Sequence, residues 1–416
     1  MAHRPQISME LYRCPALAAE GLHEVRCEEC GRCDLETKVL EPDLVDFTSA
    51  VLEKDGVPAR EAEVTARVLV ASDVRGIASH GVARLGRYLA GIRDGYIRPG
   101  VEPEIREPAP ALAVIDARQG LGQVVSVRAM ELALEKAALH GVGLVTVRNS
   151  NHYGIAGYYP RMALERRMIG LSMTNAAPLV IPTHGAQAIL GTNPIAFGAP
   201  AKGRVPFLFD AATSVVPRGK LEVYDRNQKQ MPVGWAADEQ GYDCQNPGQV
   251  LKNLIARAGG GILPLGGRGE EFSGHKGYGL AMLVDILSGV LSGSAFGPDV
   301  DDVHRARAEG LPPAARVGHF FMALDVARFM PLDEFEARME ALLNAVRESP
   351  RALDQTRIYI HGEKEQARAE LHLKAGVPLS RNVFDALTRI AAERGLAPPV
   401  TLADRVRRAQ AGEELS

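Results

Sequence analysis

Five clusters in this sequence hold residue types able to move protons, grip anions or bind metal. The first, Asp73 to Leu85, reads D-V-R-G-I-A-S-H-G-V-A-R-L, with Gly76 and Gly81 bracketing Ser79 and His80. Reducing a carbonyl beside a carboxylate takes an acid that titrates near neutrality and a guanidinium that clamps the carboxylate through two hydrogen bonds. His80 and Arg84 supply both, and their spacing of four predicts one turn along a shared helical face. The plainer reading is a histidine at a helix N-terminus and an arginine in a surface ion pair. The second cluster, Val147 to Tyr159, runs V-R-N-S-N-H-Y-G-I-A-G-Y-Y from a strand through a polar, glycine-bounded turn into a helix. Such turns are where α/β proteins place ligands, so His152 is a proton donor or substrate contact, or else only a capping side chain.

The third cluster spans Thr174 to Lys220 and is dense in Asn, Thr, Gly and Pro, a composition that presents backbone N–H groups and hydroxyls to a ligand. Asp210, at the end of the strand VPFLFDAA, is placed to accept the ring N–H of a histidine. The fourth, S-G-H-K-G-Y-G-L from Ser273, starts a helix whose free N–H groups and Lys276 suit a phosphate, although the glycine spacing is not that of a P-loop. The fifth is C-E-E-C-G-R-C. Cys14, Cys27, Cys30 and Cys33 form a weak candidate metal site, with His3 or His23 as further ligands; the alternative is a reducible extension.

The elements that must position these groups follow from periodicity. Val64, Val68 and Leu69 recur at helical spacing after Pro58, and Leu85, Tyr88, Leu89 and Ile92 share one face of the next helix. A proline-rich joint, PGVEPEIREPAP, follows. Then ALAVID, GVGLVTV, IGLSMT, VPFLFDAA and HFFMALDVARF are strand-like, alternating with helical stretches at 124–140, 155–167, 277–291 and 332–347; RIYIHGE reads as a short strand leading into a loop. This alternation predicts an α/β core with a largely covered sheet. No strand is followed by a full G-x-G-x-x-G, so a dinucleotide would bind on a non-Rossmann framework.

A net charge of -3 gives no footprint for nucleic acid or an anionic membrane, and no apolar run is long enough for a bilayer span. The opening MAHRPQISMELYRC lacks a secretory apolar stretch, which predicts a cytoplasmic protein. A small molecule is therefore the expected partner.

Taken in order, RGIASHGVARLGRY, VRNSNHYGIAGYY, TNAAPLVIPTHG, LGTNPIAFGAP, FDAATS, GWAADEQG, GHKGYGLAMLVDILSG and HGEKE resemble the type-2 malate/L-lactate dehydrogenases over residues 42–395. The resemblance implies a mixed sheet flanked by helices, NAD or NADP as cofactor, a small 2-hydroxy acid or 2-oxo acid as substrate, and a homodimer. A cyclic imine carboxylate is the alternative substrate. A metal-binding or interaction protein working through the N-terminal cysteines is the alternative of another kind. By matching positions it implies His80 as proton donor, supported by Ser79 and Asp210, with His152 also in play as acid or substrate contact. Arg84 becomes the substrate-carboxylate ligand. Ala176, Asp210, Ala211, Ala212, Lys276, Gly362, Glu363 and Lys364 become cofactor contacts. The expected organisation is an N-terminal extension over 1–40, the helical part of a substrate and dimerisation lobe over 41–110, a cofactor domain over 111–315, and a segment over 316–416 that packs back on the first lobe. Ala211, His184 and His361 stand where methionine, glycine and proline are usual in the family, and the cysteine segment has no counterpart there.

Overall fold

The computed structural model describes residues 37–203, 205–300 and 313–411. The cysteine segment, and with it the candidate metal site, lies outside the described residues. The first strand, β1 (Lys38–Val39), leads into helices α1 (Glu41–Lys54) and α2 (Ala59–Val74). Pro58, with its fixed φ of -56°, stands just before α2 and sets the chain's entry into it. Two 3-10 turns, Ala78–His80 and Val82–Arg84, then lead into α3 (Leu85–Arg93).

The central layer follows with β2 (Glu104–Ala109), β3 (Leu112–Asp116), α4 (Gly122–His140), β4 (Val142–Ser150), α5 (Tyr158–Glu165), β5 (Ile169–Thr174), β6 (Ile195–Ala199) and β7 (Phe207–Ala211). Next come α6 (Arg218–Arg226), β8 (Ala236–Ala237), α7 (Pro247–Ala256), β9 (Gly261–Ile262) and α8 (Gly274–Asp285), which continues as a π-helical turn over Ile286–Val290. The chain then forms β10 (Val317–Leu324), α9 (Leu332–Arg347), α10 (Glu363–Ala375), β11 (Val377–Pro378), α11 (Arg381–Ala392) and α12 (Leu402–Ala411).

Seven strands form one mixed sheet in the order β2-β3-β4-β10-β5-β6-β7. Only β3 and β4, joined across α4, run parallel; a parallel pair needs such a crossover. β10 pairs with β4 on one side and β5 on the other, and its residues are almost all buried. Burial on both faces explains why HFFMAL is a continuous apolar run without alternation. The one polar intruder, His319, is fully buried, and both ring nitrogens are met: Nδ1 by Thr174 Oγ1 at 2.7 Å and Nε2 by Ser150 Oγ at 2.8 Å.

Three differences from the sequence expectation concern strands. The proline-rich joint contains β2, and the stretch LGTNPIAFGAP contains β6. RIYIHGE is not a strand. It runs as irregular chain into the start of α10, held to β7 by the Leu208 N–H donating to the His361 carbonyl at 3.2 Å. The expected boundary at 315 also leaves β10 outside the cofactor domain, whereas β10 sits in the middle of the sheet.

Two of the apolar cores frame the site. One gathers Leu44, Leu52, Leu69, Leu85 and Tyr88 with Leu387 and Ala391 from α11. The other lies between α4 and the sheet and holds Ile115, Met130, Val145, Tyr153, Tyr159 and Phe321. Fully burying each aliphatic or aromatic side chain is worth roughly 1.5–3 kcal/mol, so the loops between these cores are held at both ends by large apolar anchors.

Candidate active site

The turn between α2 and α3 is shaped by a buried carboxylate. Asp73 is only 5% exposed and accepts the Val82 N–H at 2.7 Å. Gly81 passes so close that an added Cβ would lie 2.1 Å from the Asp73 carboxylate oxygens, so no side chain fits there. Gly81 is extended, with φ -87° and ψ -153°, and separates the two 3-10 turns. His80 and Arg84 therefore do not share an α-helical face as their spacing predicts. Each ends its own turn, and they converge because the Asp73 clamp folds the chain back.

Arg84 Nε donates to the Ser79 carbonyl at 2.7 Å, which anchors the guanidinium root on the same turn as His80. Ser79 Oγ lies 2.9 Å from His80 Nδ1. The His80 ring stacks on that of His152, with centroids 5.6 Å apart and planes 21° apart, so the two expected histidines are brought together.

His152 has a partner that the sequence reading treated only as core. Tyr88, fully buried, places its hydroxyl 2.6 Å from His152 Nδ1, and the Gly154 N–H donates to the same nitrogen at 3.3 Å. A backbone N–H can only donate, so Nδ1 is the acceptor and the neutral ring carries its hydrogen on Nε2. Burial, with the charges of Arg87, His80 and Arg84, holds the His152 imidazole well below its usual range. Burial, then Arg84 and Arg87, lowers His80 to about 4. Both rings are accordingly neutral at pH 7 in the free protein.

Asp210 adjoins this loop without touching either histidine. Its carboxylate accepts the Gly157 N–H at 2.7 Å, so the expected bond to a histidine ring is replaced by a backbone bond that fixes the start of α5. The side chain reaches solvent while protein crowds around it. That desolvation, offset by the Gly157 bond, pushes Asp210 up to about 6.

The expected cofactor contacts are spread along one path. Gly362 packs on Leu208, on the same side of β7 as Asp210; Ala211 pairs with Ile195, and Ala212 follows. The Leu265 N–H donates to the Thr213 carbonyl, carrying the path to a cavity of about 660 Å³ walled by Trp235, Leu265, Arg268 and Phe272. Lys276, exposed in the first turn of α8, lies just beyond, with no ion pair among the described residues. An aromatic-walled cavity beside an unpaired lysine at a helix start fits a dinucleotide.

Some members of the expected set are already engaged. The Ala176 N–H donates to Asn193 Oδ1 at 3.2 Å. Glu363 is buried and its carboxylate is taken by Arg347 at 2.8 Å, Arg357 at 2.9 Å and the Ile360 N–H at 3.1 Å, so its side chain is a latch for α10 and not a free ligand. Lys364 Nζ lies 4.5 Å from the Tyr359 ring centre. Of the unusual residues, His184 faces Glu270 at 3.4 Å in solvent, and His361 meets the edges of Phe207 and Phe209. Among the described residues no group of three or more His, Cys, Asp or Glu side chains could hold a metal ion, and no helix is long and apolar enough to cross a membrane.

Asp73 gives a stability test of the turn. Burial pushes it from 3.8 up to about 7, against the pull of the Val82 N–H. A folded value above the unfolded one means that its contribution is complete below about pH 4 and is lost as pH rises through about 7. Asp73→Asn keeps an acceptor for Val82 and does not titrate. Its stability should gain on that of the wild type between pH 4 and 7, by up to about 4 kcal/mol. Urea unfolding at stepped pH measures the gap, and a flat difference would show that folding does not raise Asp73 above its unfolded value.

Sequence and structure comparisons agree with one another. A family profile described as malate/L-lactate dehydrogenase matches residues 40–388. The chain is 47% identical to a malate dehydrogenase of Pyrococcus abyssi, over 86% of this chain and 95% of that one. It is 37% identical to an L-sulfolactate dehydrogenase of Methanocaldococcus jannaschii, over 83% and 94%. The solved malate dehydrogenase of Pyrococcus horikoshii OT3 superposes with a TM-score of 0.77 at 43% identity, covering 87% of this chain and 96% of that one.

Proposed function

The chain belongs to the malate/L-lactate dehydrogenase family, and we propose from that premise that its cleft transfers a hydride between NAD or NADP and a small 2-hydroxy acid or its 2-oxo partner. The observation that carries the reading is the stacked pair His80–His152 beside a guanidinium rooted on the same turn. When bound, the nicotinamide supplies or accepts the hydride. The protein's own groups do the rest. Arg84 holds the substrate carboxylate through its terminal nitrogens. His152, neutral and hydrogenated on Nε2, donates a hydrogen bond to the carbonyl oxygen and so steadies the charge that develops there. His80 carries the proton. An acid bound to Arg84 cancels part of the positive field that holds His80 down, so substrate binding and proton uptake by His80 are coupled.

Assaying a panel of 2-oxo acids and cyclic imines with NADH and NADPH, by nicotinamide absorbance, tests the reading. Turnover of oxaloacetate or another 2-oxo acid is expected. Turnover of the cyclic imines alone would replace it with imine reduction.

Lys276 is assigned to the cofactor side of the site, since it stands at a helix start beside the aromatic cavity. Lys276→Ala should weaken nicotinamide binding by roughly 1.5–3 kcal/mol, the worth of a charge-assisted contact. Fluorescence titration reads this directly, and an unchanged affinity would remove Lys276 from the site. The homodimer belongs to the same proposal. It is supported by a stripe of exposed apolar residues, Leu280, Leu283, Ile286, Val290 and Leu291, along α8 and its π turn. A monomeric mass in light scattering would exclude it.

A further inference from the structure

Arg75 is 7% exposed, yet no carboxylate lies within ion-pair distance of it among the described residues. Its guanidinium makes a single long hydrogen bond, 3.4 Å, to the side-chain oxygen of Gln366. The neighbouring charge is of the same sign: Arg161, on α5, faces it and, together with burial, lowers Arg75 to about 10. Among the described residues Arg161 itself pairs only with Glu165, 4.0 Å away and largely in solvent. The carboxylate whose field reaches Arg75 is Glu365, and that field is shared with Asp210. Buried Arg75 therefore has no ion-pair partner among the described residues and faces a second guanidinium whose own partner, Glu165, is loose and on the solvent side, a costly arrangement unless an anion completes it.

The space between them is a cavity of about 230 Å³, walled also by Leu164, Glu165, Pro206, Leu208 and Gly362, with the Glu165 carboxylate turned largely to solvent. Gly362, with φ +95°, is the cap residue just before α10, so the start of that helix lies at the same wall. We infer that this cavity is a binding site for a phosphoryl group, held between Arg75 and Arg161. A planar carboxylate is satisfied by one arginine fork, whereas donors arriving from α2, α5 and the start of α10 match the several acceptors of a tetrahedral oxyanion. The volume admits such a group. The cavity adjoins Asp210 through Leu208, so its phosphoryl group is either free phosphate or one carried by a dinucleotide lying in the cleft. The inference does not depend on the hydride chemistry.

Titration calorimetry of the full chain with inorganic phosphate, NAD⁺ and NADP⁺ tests it, on wild type, Arg161→Gln and Arg75→Gln. At least one of these ligands should bind tenfold or more weakly to both variants. A loss confined to NADP⁺ identifies the 2′-phosphate, an equal loss for both cofactors the pyrophosphate, and a loss for inorganic phosphate alone a free anion. Arg75 is buried and its variant can misfold, so Arg161→Gln decides. Wild-type affinity for all three ligands in a folded Arg161→Gln protein overturns the site. A wild type that binds phosphate but neither cofactor would refute the dehydrogenase reading while leaving this one in place.

Discussion

His80→Ala should lower kcat by about 10²- to 10⁴-fold while the cofactor still binds, because losing a positioned proton carrier costs that order. The structure separates this from the outcome for His152. His152 has its Nδ1 filled by Tyr88 and Gly154, so it acts as a neutral donor, and its removal takes away carbonyl polarisation without removing the proton source. His152→Gln retains an N–H donor and should recover part of the rate lost in His152→Ala. No substitution at His80 that lacks a titratable group should do the same. If His80→Ala keeps its rate and both His152 variants lose it, the roles are reversed and His80 is only a substrate contact. The pH profile is a second readout: the limb assigned to His80 should vanish in His80→Ala and persist in His152→Gln.

Arg84→Ala is the second large effect, and it should appear in KM before kcat. Removing a charge-assisted clamp on a carboxylate costs about 2–4 kcal/mol, or roughly 30- to 1000-fold in affinity for the acid. Arg84 also contributes to the field that depresses both histidines. Its loss should therefore shift the limb assigned to His80 upward in pH, toward the ordinary histidine range. Arg84→Lys restores the charge but not the fork, so it should return the pH profile while leaving KM high. A variant with an unchanged KM for the acid and an unchanged profile would show that the carboxylate binds elsewhere.

Much of this site was legible in the sequence because its groups lie on short local motifs. SHG and NSNHYG each name a histidine that the fold brings into one stacked pair, and FDAATS an aspartate bonded to the adjoining loop. The sequence could not show how those motifs meet. Tyr88 reads as one more apolar position on the α3 face, since helical periodicity reports burial and not what a phenol reaches across the chain. Asp73 only opens its motif in the sequence; its clamp on Val82 depends on a turn that spacing alone misjudged. Asp210 was correctly placed at a strand end, but its partner is a backbone N–H, which no residue pattern reveals. β2 and β6 were hidden by proline, glycine and asparagine. Those residues are tolerated because β2 is an edge strand and the two prolines of LGTNPIAFGAP, Pro194 and Pro200, flank β6 and remove no ladder bond. Arg75 gives no sequence signal at all, because its isolation is a property of what the fold fails to place beside it.

The strand in the middle of the sheet is also among the last parts of the sheet to leave the ribosome. His319 of β10 bonds Thr174, 145 residues earlier, and Ser150, 169 residues earlier. Until Val317–Leu324 emerges, β4 and β5 each expose an unpaired edge, and the nascent chain holds two half-sheets that cannot close. Contacts so distant in sequence slow folding, and bare strand edges invite pairing with other chains. The apolar anchor that makes the finished sheet secure thus gives the growing chain a long vulnerable interval, and translation pauses before β10 would lengthen the time in which a chaperone is needed.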